Sequence, residues 1–218
     1  MVALLFVLSI IFFVSIELFL ARRSSVQQTA AHTAAALIEP APPESVFLTE
    51  HHTWMRMTTD GGLQLGMDDL LTQLIGNIES VWTPEPGTKV REGDPIMRVS
   101  FSGRELTVPS PTSGVVERVN PQVQSAPWLL THDAYRSGWV VALRPRDYAA
   151  AMRGNRIGTE ARSWLSNELR RAIEFLSSTR QVAGAPVLAD GAMPNRGALA
   201  MVDSDRFEDF ARSFVKTR

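Results

Sequence analysis

The sequence predicts a mainly β fold with added helices, an α+β protein, with an apolar helix before it and a helical extension after it. Three observations support this expectation. The first 20 residues are almost entirely apolar, short apolar segments punctuated by glycine and proline run from about residue 46, and amphipathic helical patterns begin after Pro145. Short strands with such turn signals form a small barrel or sandwich, because each strand needs a partner sheet to bury its apolar face. The predicted regions are a transmembrane helix (1–21), a linker (22–45), a β domain (46–145) and a helical C-terminal extension (146–218).

Composition narrows the possible functions. The 218 residues carry a formal net charge of -1, so no basic excess is available to neutralise a phosphate backbone, and we expect no nucleic-acid partner. The chain has no cysteine, which excludes disulfides, thiolate metal sites and cysteine nucleophiles.

The N-terminal apolar run predicts a single-pass membrane anchor. Its 20 residues are long enough to cross a hydrocarbon core of roughly 30 Å. Arg22 and Arg23 follow the run directly, and nothing basic precedes it except the amino terminus. The positive-inside rule therefore predicts that the following domain lies in the cytoplasm, at the inner or cell membrane.

One helix is expected inside the β domain, in the stretch GLQLGMDDLLTQLIG. Asp68 can cap an amphipathic turn, and Gly76 can end it in a left-handed conformation.

Five features of the central region resemble the H protein of the glycine cleavage system, over roughly residues 46–145. They are Trp54, the helix-bearing stretch GLQLGMDDLLTQLIG, and the segments PEPGTKVREGDPI, SPTSGVVERVN and DAYRSGWVVALRP. Each is weak alone, but the five occur in the family's order with near-family spacing. The resemblance implies the family's lipoyl-domain-like β barrel-sandwich hybrid, two antiparallel sheets with a small helix.

The same resemblance implies a lipoyl-carrying lysine at the tip of a hairpin, about eight residues before Pro111. That count leads to Gly103, and the chain's lysines are Lys89 and Lys216. Neighbouring Arg104 cannot replace a lysine, because its guanidinium stays protonated and is not a nucleophilic amine. We therefore expect a degenerate, non-lipoylated domain with no bound cofactor and no catalytic residues.

The hairpin around this position is the candidate interaction site, formed by Ser102, Gly103, Arg104 and Glu105. These residue types suit a tight turn with a solvated charge pair. The functional alternative is that the tip docks onto a permanent protein partner, with Arg104 supplying a forked polar contact.

No metal site is expected. His51 and His52 are neighbours, so in a strand they would point to opposite faces and could not grip one ion together. His132 stands alone in the sequence.

The extension predicts two helices. In the first, Thr159 caps a stripe that includes Trp164 and Leu169, and the second carries phenylalanines on one face near the C-terminus. The first helix can pack on the central domain, in a partner's groove or on a membrane surface.

Three functional classes remain open. The favoured one is a non-enzymatic, membrane-anchored accessory or scaffold subunit that binds other protein subunits. Its suggested host is a membrane redox or respiratory complex, because lipoyl-type domains are associated with such metabolism. The second is a membrane-fusion-type adaptor of an efflux or secretion system, although the tight turn lacks such adaptors' long helical hairpin. The third is a small-ligand binder that uses the vestigial lipoyl-arm groove.

Overall fold

A computed structural model describes residues 39–177 and 195–215. These residues lie within one compact unit that begins at Leu37. The predicted transmembrane helix, with Arg22 and Arg23, lies outside the described residues, as does the linker up to residue 38. Within the described ranges, no helix combines the length and the apolar character needed to cross a bilayer.

In the part of the chain that the structure describes, nine strands form two antiparallel sheets. The strands are β1 (Phe47–Leu48), β2 (Thr53–Met57), β3 (Leu63–Met67), β4 (Ser80–Trp82), β5 (Lys89–Val90), β6 (Pro95–Phe101), β7 (Arg104–Pro109), β8 (Gly114–Val119) and β9 (Val141–Pro145). The larger sheet has the order β1-β2-β3-β9-β8-β5, and the smaller has the order β4-β6-β7. The predicted α+β class, with sheets and helices, is confirmed.

Helices lie between and after the strands. They are α1 (Asp69–Ile75), α2 (Pro121–Ser125), α3 (Leu129–His132), α4 (Tyr148–Met152), α5 (Gly158–Ser177) and α6 (Ser204–Phe210), with a 3-10 turn (Ala198–Ala200) and a π-helical turn (Ala211–Val215). Asp68 caps α1 by accepting a hydrogen bond from the Leu71 N–H, and Gly76 ends the helix with a φ of 82°. Asp68 has the role that the sequence predicts; Gly76 ends the helix at the predicted position and with a positive φ, but its ψ of -103° lies outside the left-handed helical region that was expected.

One continuous apolar core takes side chains from both sheets and from the helices. Trp54 is completely buried in it, and its indole N–H donates to the Ala134 carbonyl at 3.0 Å. A Cβ built on Gly66 would lie 2.6 Å from the Trp54 ring, so glycine is required where β3 passes the indole.

The extension packs into the same core. Helix α5 buries Ala161, Leu165, Leu169 and Ala172. The terminal segment buries Phe207 and Phe210, and a π-helical turn contributes Phe214 and Val215. The first extension helix was expected on the central domain, in a partner's groove or on a membrane surface. In the described residues it packs against the central domain.

Candidate functional site: the hairpin tip and the cluster at His52

The tip of the β6–β7 hairpin is a two-residue turn. Phe101 pairs with Arg104, and the intervening Ser102 and Gly103 have φ values of 47° and 72°. Positive φ at both central residues matches the turn whose twist suits an antiparallel hairpin. The Ser102 N–H donates to Glu79 Oε1 at 2.8 Å, and a Cβ on Gly103 would meet no atom within 4 Å. The tip is thus held in place and open to solvent.

No amine lies at this tip. Lys89 belongs to β5, at the edge of the larger sheet, where it pairs with Val115. The hairpin belongs to the smaller sheet. Lys216 lies outside the described residues.

Arg104 points to the C-terminal segment. Its Nη1 donates to the Leu199 carbonyl at 2.9 Å, and its Nη2 donates to the Val202 carbonyl. Its guanidinium carbon lies 5.4 Å from the centre of the Phe207 ring. The forked donor therefore binds main-chain carbonyls of this chain.

Glu105 lies beside Arg104 but forms its ion pair elsewhere. Its Oε1 is 3.7 Å from Nη1 of Arg98; the Glu105 side chain is about half exposed and that of Arg98 is partly exposed. The guanidinium of Arg98 also stacks over the Trp82 ring at 3.9 Å. The contacts of the four predicted hairpin residues are thus defined, whereas their use by a partner protein stays a prediction.

A buried polar cluster lies beneath helix α5. His52 is 2% exposed, and its Nδ1 lies 2.7 Å from Oδ2 of Asp68. Its Nε2 lies 3.8 Å from Oε2 of Glu168. The imidazole therefore lies between the cap of α1 and a carboxylate on α5.

The two carboxylates determine the charge of His52. Burial lowers the pKa of its imidazole, but the charges and hydrogen bonds of Asp68 and Glu168 raise it to about 9. For Glu168, burial raises the pKa, because burial disfavours the charged carboxylate. The hydrogen bonds and charges of His52 and Arg171 have the opposite effect and lower this pKa below its usual range. At neutral pH the cluster is a buried imidazolium between carboxylates.

Aromatic rings and a second ion pair close the cluster. The Trp164 ring lies 5.1 Å from the His52 ring, and the Phe214 ring lies 6.4 Å from it. Arg171 binds both oxygens of Glu168 at 2.7 and 2.6 Å, and its guanidinium covers Phe214 at 4.4 Å. The cluster joins the β domain to both parts of the extension and leaves no open face for a substrate.

The other two histidines in the described residues contact main-chain carbonyls. His51 Nδ1 lies 3.0 Å from the Val215 carbonyl, and His132 Nδ1 lies 3.1 Å from the Trp128 carbonyl. Across residues 39–177 and 195–215, no group of three or more potential metal-binding histidine, aspartate or glutamate side chains occurs.

A cleft of about 590 Å3 lies beside β4, at the edge of the smaller sheet. Trp82, at its rim, is 44% exposed. The lining residues are Ser80, Val81, Trp82, Thr83, Pro84, Glu85, Pro86, Val119, Pro121, Gln124 and Ser125. This cleft is open and mostly apolar, so it suits an apolar group better than a charged one.

Sequence reasoning missed the partners of His52 and Arg104. Asp68 and Glu168 lie 16 and 116 positions from His52, and the carbonyls bound by Arg104 lie 95 and 98 positions from it. The one usable signal was Asp68 itself, because a helix cap has a second carboxylate oxygen free for another donor.

Comparisons with known proteins agree on one family. The family model described as glycine cleavage H-protein matches residues 46–159. The glycine cleavage system H protein of Nitrosospira multiformis is 31% identical over 107 residues, which cover 49% of this chain and 82% of that protein. The probable glycine cleavage system H protein of Thermococcus gammatolerans is 30% identical over 102 residues, covering 47% of this chain and 75% of that protein.

A solved structure supports the same fold. The crystal structure of a glycine cleavage system H protein from Mycobacterium marinum superposes with a TM-score of 0.51 at 23% identity. The superposition covers 56% of this chain and 98% of that chain. Most of the C-terminal extension lies beyond the region matched by the family model.

Proposed function

The chain belongs to the glycine cleavage H-protein family, and we propose that it is a non-catalytic, membrane-anchored accessory or scaffold subunit whose H-protein-like domain binds other proteins without carrying lipoate. One observation carries this proposal. The hairpin tip consists of Ser102 and Gly103, and neither residue has an amine to which lipoate could be attached. The chemistry of a lipoyl carrier is therefore lost, while the fold that presents the hairpin is retained.

The neighbourhood of the tip supports a structural role. Arg104 is held by two carbonyls of the C-terminal segment, and the lysine Lys89 lies on the other sheet. The residues on the two sides of the tip therefore make contacts within this chain.

The membrane anchor and cytoplasmic placement of the domain are parts of this proposal that rest on the sequence. The apolar first 20 residues, with Arg22 and Arg23 directly after them, support a single-pass helix in the inner or cell membrane. We favour a membrane redox or respiratory complex as the host.

Mass spectrometry and purification from native membranes test the proposal together. Intact mass of the purified full-length chain is expected to show no lipoyl adduct, and gentle-detergent purification followed by a salt wash is expected to retain other membrane subunits in near-stoichiometric amounts. A lipoyl adduct on Lys89 would contradict the non-carrier assignment, and a solitary chain would contradict the scaffold role.

Protease treatment of spheroplasts tests the orientation. We expect the domain to survive protease added from the outside and to be digested in inverted membrane vesicles. The reverse pattern would place the domain outside the cytoplasm and would favour an adaptor of an efflux or secretion system.

A second candidate function rests on the cleft beside β4. Its apolar lining and its exposed Trp82 suit a small apolar ligand. Native mass spectrometry of the purified chain checks this alternative, because a retained small molecule would appear as a constant added mass that Trp82→Ala removes.

A further inference from the structure

We propose that residues 195–215, here called the C-terminal cap, close one flank of the β6–β7 hairpin to any macromolecule that must clasp it, and that Arg104 and Phe207 hold the cap in register. The inference rests on the proposed function, because it takes the hairpin to be a carrier tip that has lost its lysine. It adds a second barrier to modification that is independent of the missing amine.

The contacts between hairpin and cap are both apolar and polar. Phe101, the last residue of β6, is completely buried, and its ring meets the Phe207 ring edge-on at 5.6 Å. The π-helical turn Ala211–Val215 contacts β7. Arg104, the first residue of β7, binds the carbonyls of Leu199 and Val202. The cap therefore covers the hairpin from its turn along β7.

Arg104 is well suited to set the register of the cap. Its two donors bind carbonyls three residues apart, which fixes the position of the 3-10 turn Ala198–Ala200 relative to the hairpin. Phe207 then fixes α6, because its ring lies against both Phe101 and the Arg104 guanidinium.

Closing one flank matters because the tip is so short. A two-residue turn offers an enzyme only Ser102 and Gly103, so an enzyme acting there must also hold the strands that flank the turn. With the cap on one flank, the open approach is the outer face of the smaller sheet, where Trp82, Arg98 and Glu105 are exposed at least in part. A macromolecular partner of the hairpin must therefore bind this outer face.

Restoring a lysine provides the test. Full-length Gly103→Lys is incubated with lipoate–protein ligase, ATP and lipoate, and intact mass reports the amide formed when the lysine Nζ displaces AMP from the activated lipoate carboxyl. The comparison variants are G103K/R104Q/F207A, which removes the side-chain contacts that Arg104 and Phe207 make between hairpin and cap, and G103K/E105Q, which changes a neighbouring charge that does not touch the cap. Hydrogen exchange of the amides in residues 198–210 reports whether the cap has opened.

We expect G103K and G103K/E105Q to be modified at least tenfold more slowly than an H protein that accepts lipoate, and the triple variant to recover at least tenfold with faster exchange in the cap. Modification of G103K at the control rate would overturn the proposal. It would also be overturned if the triple variant stayed unmodified with an open cap, or if its cap did not open at all. The proposed function is judged separately, from the mass of the wild-type chain.

Discussion

Two of the places where the extension is attached to the β domain differ in kind. At His52 the attachment is an imidazolium between two carboxylates, all buried, beneath helix α5. At Arg104 it is a half-exposed guanidinium on main-chain carbonyls of the C-terminal cap. A buried charge that loses its partner retains a large desolvation cost, whereas a neutral carbonyl that loses a donor retains a smaller one, even in a buried residue such as Leu199. The first attachment should thus be far less tolerant of substitution than the second.

The largest effect is expected at His52. Its φ of 59° is one that asparagine tolerates, so His52→Asn removes the charge without adding backbone strain. Asp68 would then be buried without its cation, while Glu168 would keep Arg171, and we expect a loss of about 3–5 kcal/mol of unfolding free energy, measured by denaturant titration.

His51→Ala is the matched control for that experiment. His51 is adjacent, more exposed and bound through one hydrogen-bond contact to the Val215 carbonyl, so its loss should cost about 1 kcal/mol. If the two variants lost similar amounts of unfolding free energy, the buried charge of His52 would matter no more than the single hydrogen bond of His51.

A pH dependence should arise from the same cluster. Because the pKa of His52 is raised to about 9, its stabilising effect is complete below the unfolded pKa of 6.5 and is lost as pH rises through about 9. The shift corresponds to about 3 kcal/mol. Unfolding measured between pH 6 and pH 9.5 should show this slope in the wild-type chain, and a slope that persists in His52→Asn would assign it to another group.

A smaller effect is expected at Arg104. Arg104→Gln loses a charge and two hydrogen bonds to the carbonyls of the buried residues Leu199 and Val202, so the cost should be about 1–3 kcal/mol. Hydrogen exchange should locate the change in the C-terminal cap and leave α5 protected. Faster exchange throughout α5 would show that the two attachments open together.

The smallest effect is expected on the outer face of the smaller sheet. Glu105→Gln breaks a 3.7 Å ion pair between exposed side chains, which should change stability by less than about 0.5 kcal/mol. A loss as large as that of Arg104→Gln, in the same denaturant titration, would mean that Glu105 also supports the cap.

These differences also explain how much could be predicted from the sequence. The α+β class, the cap of α1 at Asp68 and its end at Gly76 follow from local patterns, and the structure confirms them. The apolar stripe of α5 indicates burial because its period is that of a helix. Local signals of this kind need no knowledge of distant residues.

The attachments could not be predicted, because they depend on tertiary packing. A lone histidine gives no sign that Glu168 will reach it from another helix. Arg104 binds main-chain carbonyls, which every residue has, so its partners leave no trace in the sequence. The four-residue hairpin was found from its family resemblance and turn chemistry, but the segment that covers it was not.

The position of Lys89 has a practical consequence for mapping neighbours of this protein. Amine-reactive cross-linkers need a primary amine, and in the described residues that amine lies on β5, at one edge of the larger sheet. Through the amine of Lys89, such reagents would report proteins near that edge and not at the hairpin, which belongs to the other sheet. Because the chain has no cysteine, a single thiol introduced at Ser102 would give a probe at the tip without background labelling.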